Sequence, residues 1–534
     1  MYRMNVLITD SVHPVCPETL SAAGMDPILM AGKPAADIET ASADADGWII
    51  RSGTTITAAM IDAAPKLKVI GRAGVGVDNV DIAHATRKGI LVLNAPAGNT
   101  VSTAEHTVAM LLSLARKIPA AAASLKGGAW ERKAFTGHEL YGKTVGIVGV
   151  GKIGRGVAER LAGFGVHLLG FDPVMSEDAA ERMGMKLVSL DAIYADADFI
   201  TVHTPMTAST RGLLNRATLA ACRKGVGIVN CARGGIVDEA DLLEALESGH
   251  VGGAALDVYS SEPPTDAIRR LIEHPSVVAT PHIAASTEEA QENVARQVTE
   301  QVIHALRHEP VQTAVNAMAI KMASQPEVRP FMDLAERLGN VAAQLSGLES
   351  SVTALTVRCH GDVPRRYADV MRVAALKGFL AHMRSEPVNL INADTLAGES
   401  GLDVNVETFR ATSSYTNVLE IAVSDHGAHR TVSGSVFGDD DPRIVSVDGY
   451  AIEVRAEGVL LLYRNEDRPG MLARVGTILA GGGVNIASMA LGRKEKGSTA
   501  LTAMHLDDAP DHVLLADVVA LEGVSNIHVV SFPS

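Results

Sequence analysis

Three residues that close apolar, strand-like runs could together oxidise an alcohol: Arg233 in Asn230-Cys231-Ala232-Arg233-Gly234-Gly235, Glu262 in Ser261-Glu262-Pro263-Pro264, and His282 in Thr280-Pro281-His282. As hydride leaves a secondary alcohol carbon, a base must take the hydroxyl proton, and a histidine with an ordinary pKa of about 6.5 suits that task. A carboxylate on the other ring nitrogen would fix the tautomer and raise basicity, which is the role open to Glu262. The guanidinium fork of Arg233 could hold a substrate carboxylate and polarise the adjoining carbonyl. Each residue also has a plainer reading: His282 as a turn residue after proline, Glu262 as a solvated loop charge, Arg233 as half of a structural ion pair. The trio gains meaning only if a hydride acceptor binds beside it.

The signature of such an acceptor lies upstream. Residues 144–150 form an apolar, branched run suited to a strand buried on both faces, and it ends in Gly149-Val150-Gly151-Lys152-Ile153-Gly154. Val157, Leu161 and Phe164 then recur at near-helical spacing before a second apolar run, 166–171, closes on Asp172. In a βαβ unit of this kind Gly149 permits the tight turn, Gly151 lets backbone approach a pyrophosphate at the helix N-terminus, and Gly154 lets helix and strand pack closely. Asp172, eighteen positions beyond Gly154, would accept hydrogen bonds from an adenosine ribose and repel a 2′-phosphate. The expected cofactor is therefore NAD rather than NADP.

The elements that must position these groups can be read in outline. Runs 198–203, 227–230, 253–256 and 277–280 each end beside a turn signal, so their carboxyl ends should converge, as ligand sites do in open α/β sheets. Ahead of them, apolar runs at 5–9, 46–50 and 67–70 alternate with helical segments in a small α/β unit. Two of these runs lead into loops bearing Arg51 and Arg72, which are candidates for anion binding unless they are simple surface arginines. A helix at 104–115 leads into the glycine-rich stretch, and one at 287–307 should return the chain to the first unit, making that unit discontinuous. A linker is expected at 309–325. Residues 352–454 alternate as strands with one apolar helix near 370–382 and no catalytic constellation. From 458 to 534 the pattern is strand, helix, strand, strand, helix, strand, the ferredoxin-like order.

With 534 residues the chain is too long for one core and suggests about three or four domains. A hydrophobic content of 47% with 20% charged residues is the profile of a folded protein, and no apolar run approaches a membrane span. No export signal is visible. The cysteines Cys16, Cys222, Cys231 and Cys359 show neither metal-ligand nor disulfide spacing, so a reducing cytoplasm and no metal are expected. The net charge of −15 argues against nucleic-acid binding, and an anionic substrate would need a local cluster of basic residues.

The stretches 149–154, 230–235, Ala255-Leu256-Asp257-Val258 and Thr280-Pro281-His282 resemble, in order, the signatures of the D-isomer-specific 2-hydroxyacid dehydrogenases. The stretch 71–81, Trp130-Glu131-Arg132-Lys133 and Thr201-Val202-His203-Thr204-Pro205 resemble the long forms of that family that oxidise D-3-phosphoglycerate. The resemblance covers the whole chain. It implies an α/β fold in which a Rossmann-type dinucleotide domain (99–286) is inserted in a flavodoxin-like substrate domain (1–98 and 287–315). An α+β intervening domain (318–454) and a ferredoxin-like βαββαβ ACT domain (458–534) would follow. By the same resemblance Arg233, Glu262 and His282 are the catalytic trio and Asp257 meets the nicotinamide amide. His203, Thr204 and Cys231 line the NAD cleft with Gly149, Gly151, Lys152, Ile153, Gly154 and Asp172. Arg51 and Arg72 hold substrate anions, while Arg132 and Lys133 reach a neighbouring subunit's site in a homo-oligomer, a tetramer. Ala284 stands where the family usually has glycine. Asp467 and Asn485 resemble the serine-binding loop and strand of feedback-inhibited forms, which implies L-serine as effector. Another enzyme of the family, reducing glyoxylate or hydroxypyruvate, is the first alternative, and the long C-terminal part counts against it. The second is a non-enzymatic NAD-sensing scaffold, against which the intact trio counts.

Overall fold

The computed structural model describes residues 3–322, 325–346, 352–410, 415–425 and 428–532. Its first sheet is wholly parallel: β1 Asn5–Ile8, β2 Asp26–Leu29, β3 Gly47–Ile50, β4 Val69–Arg72 and β5 Leu91–Asn94, in the flavodoxin-like order β2-β1-β3-β4-β5. These strands are short, nearly continuous apolar runs because helices cover both faces. One covering helix is Glu288–Leu306, which comes from far along the chain and puts Val294, Val298, Val302 and Leu306 into this sheet's core. It lies so close to β4 that a Cβ at Gly71 would stand 2.6 Å from Val302 Cγ2.

The second sheet is parallel throughout and has seven strands: β6 Thr144–Val148, β7 His167–Phe171, β8 Met185–Leu187, β9 Phe199–Val202, β10 Val226–Asn230, β11 Val251–Leu256 and β12 Val277–Ala279. Their order, β12-β11-β10-β9-β6-β7-β8, is that of the Rossmann fold and reverses direction between β6 and β9. The crevice at that switch point is where such sheets bind ligands. The long helix Thr100–Arg116 joins the two sheets and buries Val108, Leu111 and Ala115 against the second.

The third sheet is mixed: β13 Val352–His360, β14 Asp403–Phe409, β15 Val418–Asp425, β16 Ala428–Phe437, β17 Asp441–Val447 and β18 Tyr450–Arg455, in the order β14-β13-β15-β16-β17-β18. The expected helix near 370–382 runs Ala368–Met383, and a second, Arg329–Ser346, packs along it. Gly339 and Gly378 allow this close packing, because a Cβ on either would strike a carbonyl oxygen of the other helix, at Ala375 and Glu336 respectively. The last sheet is antiparallel and ferredoxin-like, with β19 Val459–Glu466, β20 Ile486–Arg493, β21 Thr499–Leu506 and β22 Val524–Ser531 in the order β20-β21-β19-β22.

The expected linker at 309–325 is not free along its length, although residues 323 and 324 lie outside the described residues. Val315 N–H donates to Val92 O and Asn94 N–H to Thr313 O, extending the edge of the first sheet. The Asn316 carboxamide bonds Val92 N, Thr86 Oγ1 and Ile90 O. Backbone groups at an unpaired sheet edge attract a passing segment. Among the described residues no single helix is long and apolar enough to cross a membrane, and no group of metal-ligating side chains is present.

Candidate active site

His282 and Glu262 meet at the carboxyl end of the second sheet. Nδ1 of His282 lies 2.6 Å from Glu262 Oε2, while Glu262 Oε1 accepts the Tyr259 N–H at 3.0 Å. Burial would raise the Glu262 pKa, but the bonds from His282 and Tyr259 outweigh it and hold the carboxyl below its ordinary value. An ionised Glu262 can only accept, so Nδ1 carries a proton, and in the neutral ring Nε2 is the free acceptor. The dyad borders an apolar hollow of about 540 Å³, lined also by Tyr259, Pro263, Pro264, Ile272, Ala279 and Pro281.

The turn bearing His282 is unusual. Its φ of 52° is left-handed, a conformation that costs a non-glycine residue on the order of 1–2 kcal/mol. Asp257, fully buried at the end of β11, holds the turn: Oδ1 accepts from Thr280 Oγ1 at 2.5 Å and Ile283 N at 2.9 Å, and Oδ2 accepts from Ala284 N at 2.9 Å. Burial pushes its pKa up, but these donors and His106 bring it below the usual carboxylate value. Asp257 was expected to meet a nicotinamide amide; here its side chain is fully buried and its oxygens hold the turn that carries His282. The Ala284 methyl is buried beside it.

Arg233 reaches the same place from the loop after β10. Gly234 abuts the Tyr259–Ser260 peptide so closely that any Cβ would overlap it, which ties the arginine loop to the loop holding Glu262. Arg233 Nη1 donates to Ala232 O at 2.7 Å, and Nε faces Asp78 Oδ2 at 3.3 Å across from the first sheet. Arg72 is half-buried with its Nε buried and unpartnered, and burial together with the charges of Arg233 and Arg51 lowers its pKa to about 10. Three arginines thus converge without enough carboxylate to neutralise them, an arrangement that wants an anion.

Sequence reasoning did not single out the groups that hold the Arg51 loop. Asp10, at the end of β1, accepts from Arg51 N at 2.5 Å, Thr54 N at 3.2 Å and Thr54 Oγ1 at 2.9 Å. Asn79 Nδ2 donates to the carbonyls of Arg51 and Thr54 at 2.6 and 2.5 Å. For Asp10, its position just past a strand end was the available signal.

The dinucleotide loop follows β6. Gly149 has φ 91° and lies against the His203 carbonyl, where a Cβ would stand 2.8 Å away. Gly154 lies on Gly149 O, whereas a Cβ at Gly151 would meet nothing within 4 Å. The helix Lys152–Ala162 begins there with no side-chain cap on its free N–H groups, so Lys152 and Ile153 offer donors to an anion. Asp172 accepts from Val150 N at 2.8 Å and Val174 N at 3.0 Å, which fixes its carboxylate beside the loop. Thr204 Oγ1 is buried and unpartnered, an orphan that a ligand in the crevice could satisfy. His203 shares a 2.9 Å contact with Thr201 Oγ1, and burial pushes its pKa down to about 4. Burial raises the Cys231 thiol to about 12, which makes it a small apolar lining group.

Two groups of residues stand apart. The side chains of Arg132 and Lys133 are exposed and make no hydrogen bond or ion pair among the described residues; neighbouring Trp130 is 77% exposed. Asp467 bonds Gly497 N at 2.9 Å and Arg493 at 3.1 Å, which lowers its pKa, while Asn485 bonds Asp507. Asp467 adjoins Ser498 and Asn485 adjoins Asp507, so they flank opposite ends of β21, roughly 30 Å apart at about 3.4 Å per residue. One chain cannot bring them onto one small ligand.

Residues 108–284 match the NAD binding domain of the D-isomer specific 2-hydroxyacid dehydrogenases, 327–448 the D-3-phosphoglycerate dehydrogenase intervening domain, and 459–523 the ACT domain. The chain is similar to D-3-phosphoglycerate dehydrogenase of Bacillus subtilis, 39% identical over 522 residues, which cover 97% of this chain and 99% of that protein. It is similar to that of Mycobacterium tuberculosis at 41% identity, covering 97% of each. Among solved structures it resembles a glyoxylate reductase from Paecilomyes thermophila (TM-score 0.54, 28% identity, 59% of this chain and 99% of that one). It also resembles D-lactate dehydrogenase from Aquifex aeolicus complexed with NAD and lactic acid (TM-score 0.52, 28% identity, 58% and 99%).

Proposed function

Because the chain belongs to the D-3-phosphoglycerate dehydrogenase family and is an NAD-dependent oxidoreductase, we propose that it oxidises D-3-phosphoglycerate to 3-phosphohydroxypyruvate, the first step of phosphorylated L-serine biosynthesis. The observation that carries this reading is the half-buried Arg72, its Nε buried and unpartnered, between Arg51 and Arg233 in a chain whose net charge is −15. A substrate with a carboxylate and a phosphate supplies the two anions these arginines lack.

In this reading Arg233 takes the substrate carboxylate in a forked bond and polarises the carbonyl as it forms, while Arg51 and Arg72 hold the phosphate. His282 Nε2 removes the proton from the substrate hydroxyl, and Glu262 stabilises the imidazolium through Nδ1. The 149–154 loop, Asp172 and Thr204 hold NAD, which when bound accepts the hydride. His203, kept neutral by burial, lines the cleft without competing for the proton.

We read the chain as a cytoplasmic homo-oligomer, a tetramer, in keeping with its buried, unpaired cysteines and with the exposed Trp130-Glu131-Arg132-Lys133 loop, which Arg132 and Lys133 would carry to a neighbouring subunit. L-serine would bind between two C-terminal domains, with Asp467 from one copy and Asn485 from the other. The test of the substrate is a rate comparison with NAD on D-3-phosphoglycerate, D-glycerate and D-lactate. The phosphorylated acid should be strongly preferred, and equal turnover of D-glycerate would refute the assignment.

A further inference from the structure

The dyad accounts for His282 and Glu262 but not for His106, a histidine on the helix that joins the two sheets. His106 Nε2 stands 3.3 Å from Thr280 Oγ1 and 3.3 Å from Asp257 Oδ1. The proton positions follow from the partners. Thr280 Oγ1 donates to Asp257 Oδ1 at 2.5 Å, so its lone pairs are what it can offer His106. A carboxylate also only accepts, so Nε2 of His106 carries a proton shared between the two oxygens.

Thr280 precedes His282 by two residues, and its carbonyl accepts the His282 N–H at 3.1 Å and the Tyr259 hydroxyl at 3.0 Å. Ile283 and Ala284, which follow, donate their N–H groups to Asp257. The left-handed His282 is thus pinned on both sides by one buried carboxylate, and such backbone persists only where its surroundings over-determine it. Among the described residues His106 is the donor to this carboxylate that lies outside the 280–284 turn, and it comes from a rigid helix.

We propose that His106 is a positioning residue for the reaction, acting through Asp257 and Thr280 to aim the turn that presents the His282 ring. It touches neither the hydroxyl being oxidised nor the dyad. Removing its donor frees Thr280 Oγ1 and Asp257 Oδ1 to shift, and the 280–284 turn shifts with them. Displacement of a reacting group by about 1 Å can cost roughly 10²-fold in rate, and loss of an orienting partner typically costs about 10- to 100-fold.

The inference rests on the assignment of His282 as base, and two variants of the full chain separate the claims. His106→Leu should lower kcat about 10- to 100-fold, leaving KM for D-3-phosphoglycerate, fluorescence-measured NADH affinity and Tm close to wild type. His106→Gln, whose amide nitrogen can stand where Nε2 does, should recover most of that loss. A His106→Leu enzyme with wild-type kcat would overturn the proposal. So would a Gln variant as slow as the Leu variant, or a Leu variant that loses NADH affinity and Tm in step with rate, since either would mean packing rather than aim. A wild-type enzyme inactive on D-3-phosphoglycerate would instead sink the functional reading on which the inference stands.

Discussion

Gly76→Ala tests how closely the two sheets cooperate at the arginine cluster. Gly76 belongs to the first unit and Arg233 to the second, yet a Cβ at Gly76 would overlap Arg233 Nη2 and lie 3.1 Å from its Cζ and 3.0 Å from Asp78 Oδ2. Carbon contacts are comfortable at about 3.5–4.0 Å, so the guanidinium must retreat by on the order of 1 Å. The obstacle is the end of a flexible side chain and Gly76 has no left-handed φ, so the fold should tolerate the methyl. A reacting or clamping group displaced by about 1 Å costs roughly 100-fold, equivalent to about 2.7 kcal/mol of transition-state binding. Steady-state kcat/KM for D-3-phosphoglycerate should therefore fall by about two orders of magnitude, while NADH affinity and Tm stay near wild type, because the dinucleotide loop is on another element. A variant within about threefold of wild type would mean that Arg233 does not work from the position seen here.

Asp172→Ser should weaken NAD binding and relax discrimination against NADP, measured by titrating both cofactors; unchanged NAD affinity would remove Asp172 from the site. Stability should fall in mild acid. His203 takes a proton near 4 when folded but at about 6.5 when unfolded, so the unfolded state binds more protons in that window and stability drops as pH falls through it. His382 and His528, both lowered chiefly by burial, act in the same direction. Asp257 and Glu262 are depressed carboxyls whose contribution is present above their ordinary values of about 4 and lost only below them. Melting curves across this range should therefore show a slope that His203→Phe reduces, and a flat profile would contradict the burial argument. L-serine should bind only where two C-terminal domains meet, and calorimetry should show Asp467→Ala abolishing the binding; equal heats from both proteins would eliminate the site.

The dinucleotide half was legible because parallel strands covered on both faces read as apolar runs, and each had to end where its loop does chemistry. His282, Glu262 and Arg233 were found by type and place, since a strand end in such a sheet is a binding position whatever its neighbours. Asp257 was named by resemblance, and the left-handed φ at His282 that it supports leaves no mark in the sequence. His106 was hidden in the same way, because which helix turn lies under β12 is decided by packing. The Arg329–Ser346 helix went unread beneath Gly339, a residue that weakens an isolated helix but here permits contact with Ala375. The 309–325 stretch read as linker because pairing with the edge of β5 depends on residues more than two hundred positions away.

The central claim is that His282, oriented by Glu262, moves the hydroxyl proton. The most direct measurement is kcat of His282→Ala with NAD and D-3-phosphoglycerate, taken beside the NADH dissociation constant of the same protein. The account predicts a loss of roughly 10²- to 10⁴-fold in kcat with NADH affinity unchanged. Turnover near that of the wild type, with the cofactor bound equally well, would contradict it and move the base elsewhere in the cleft.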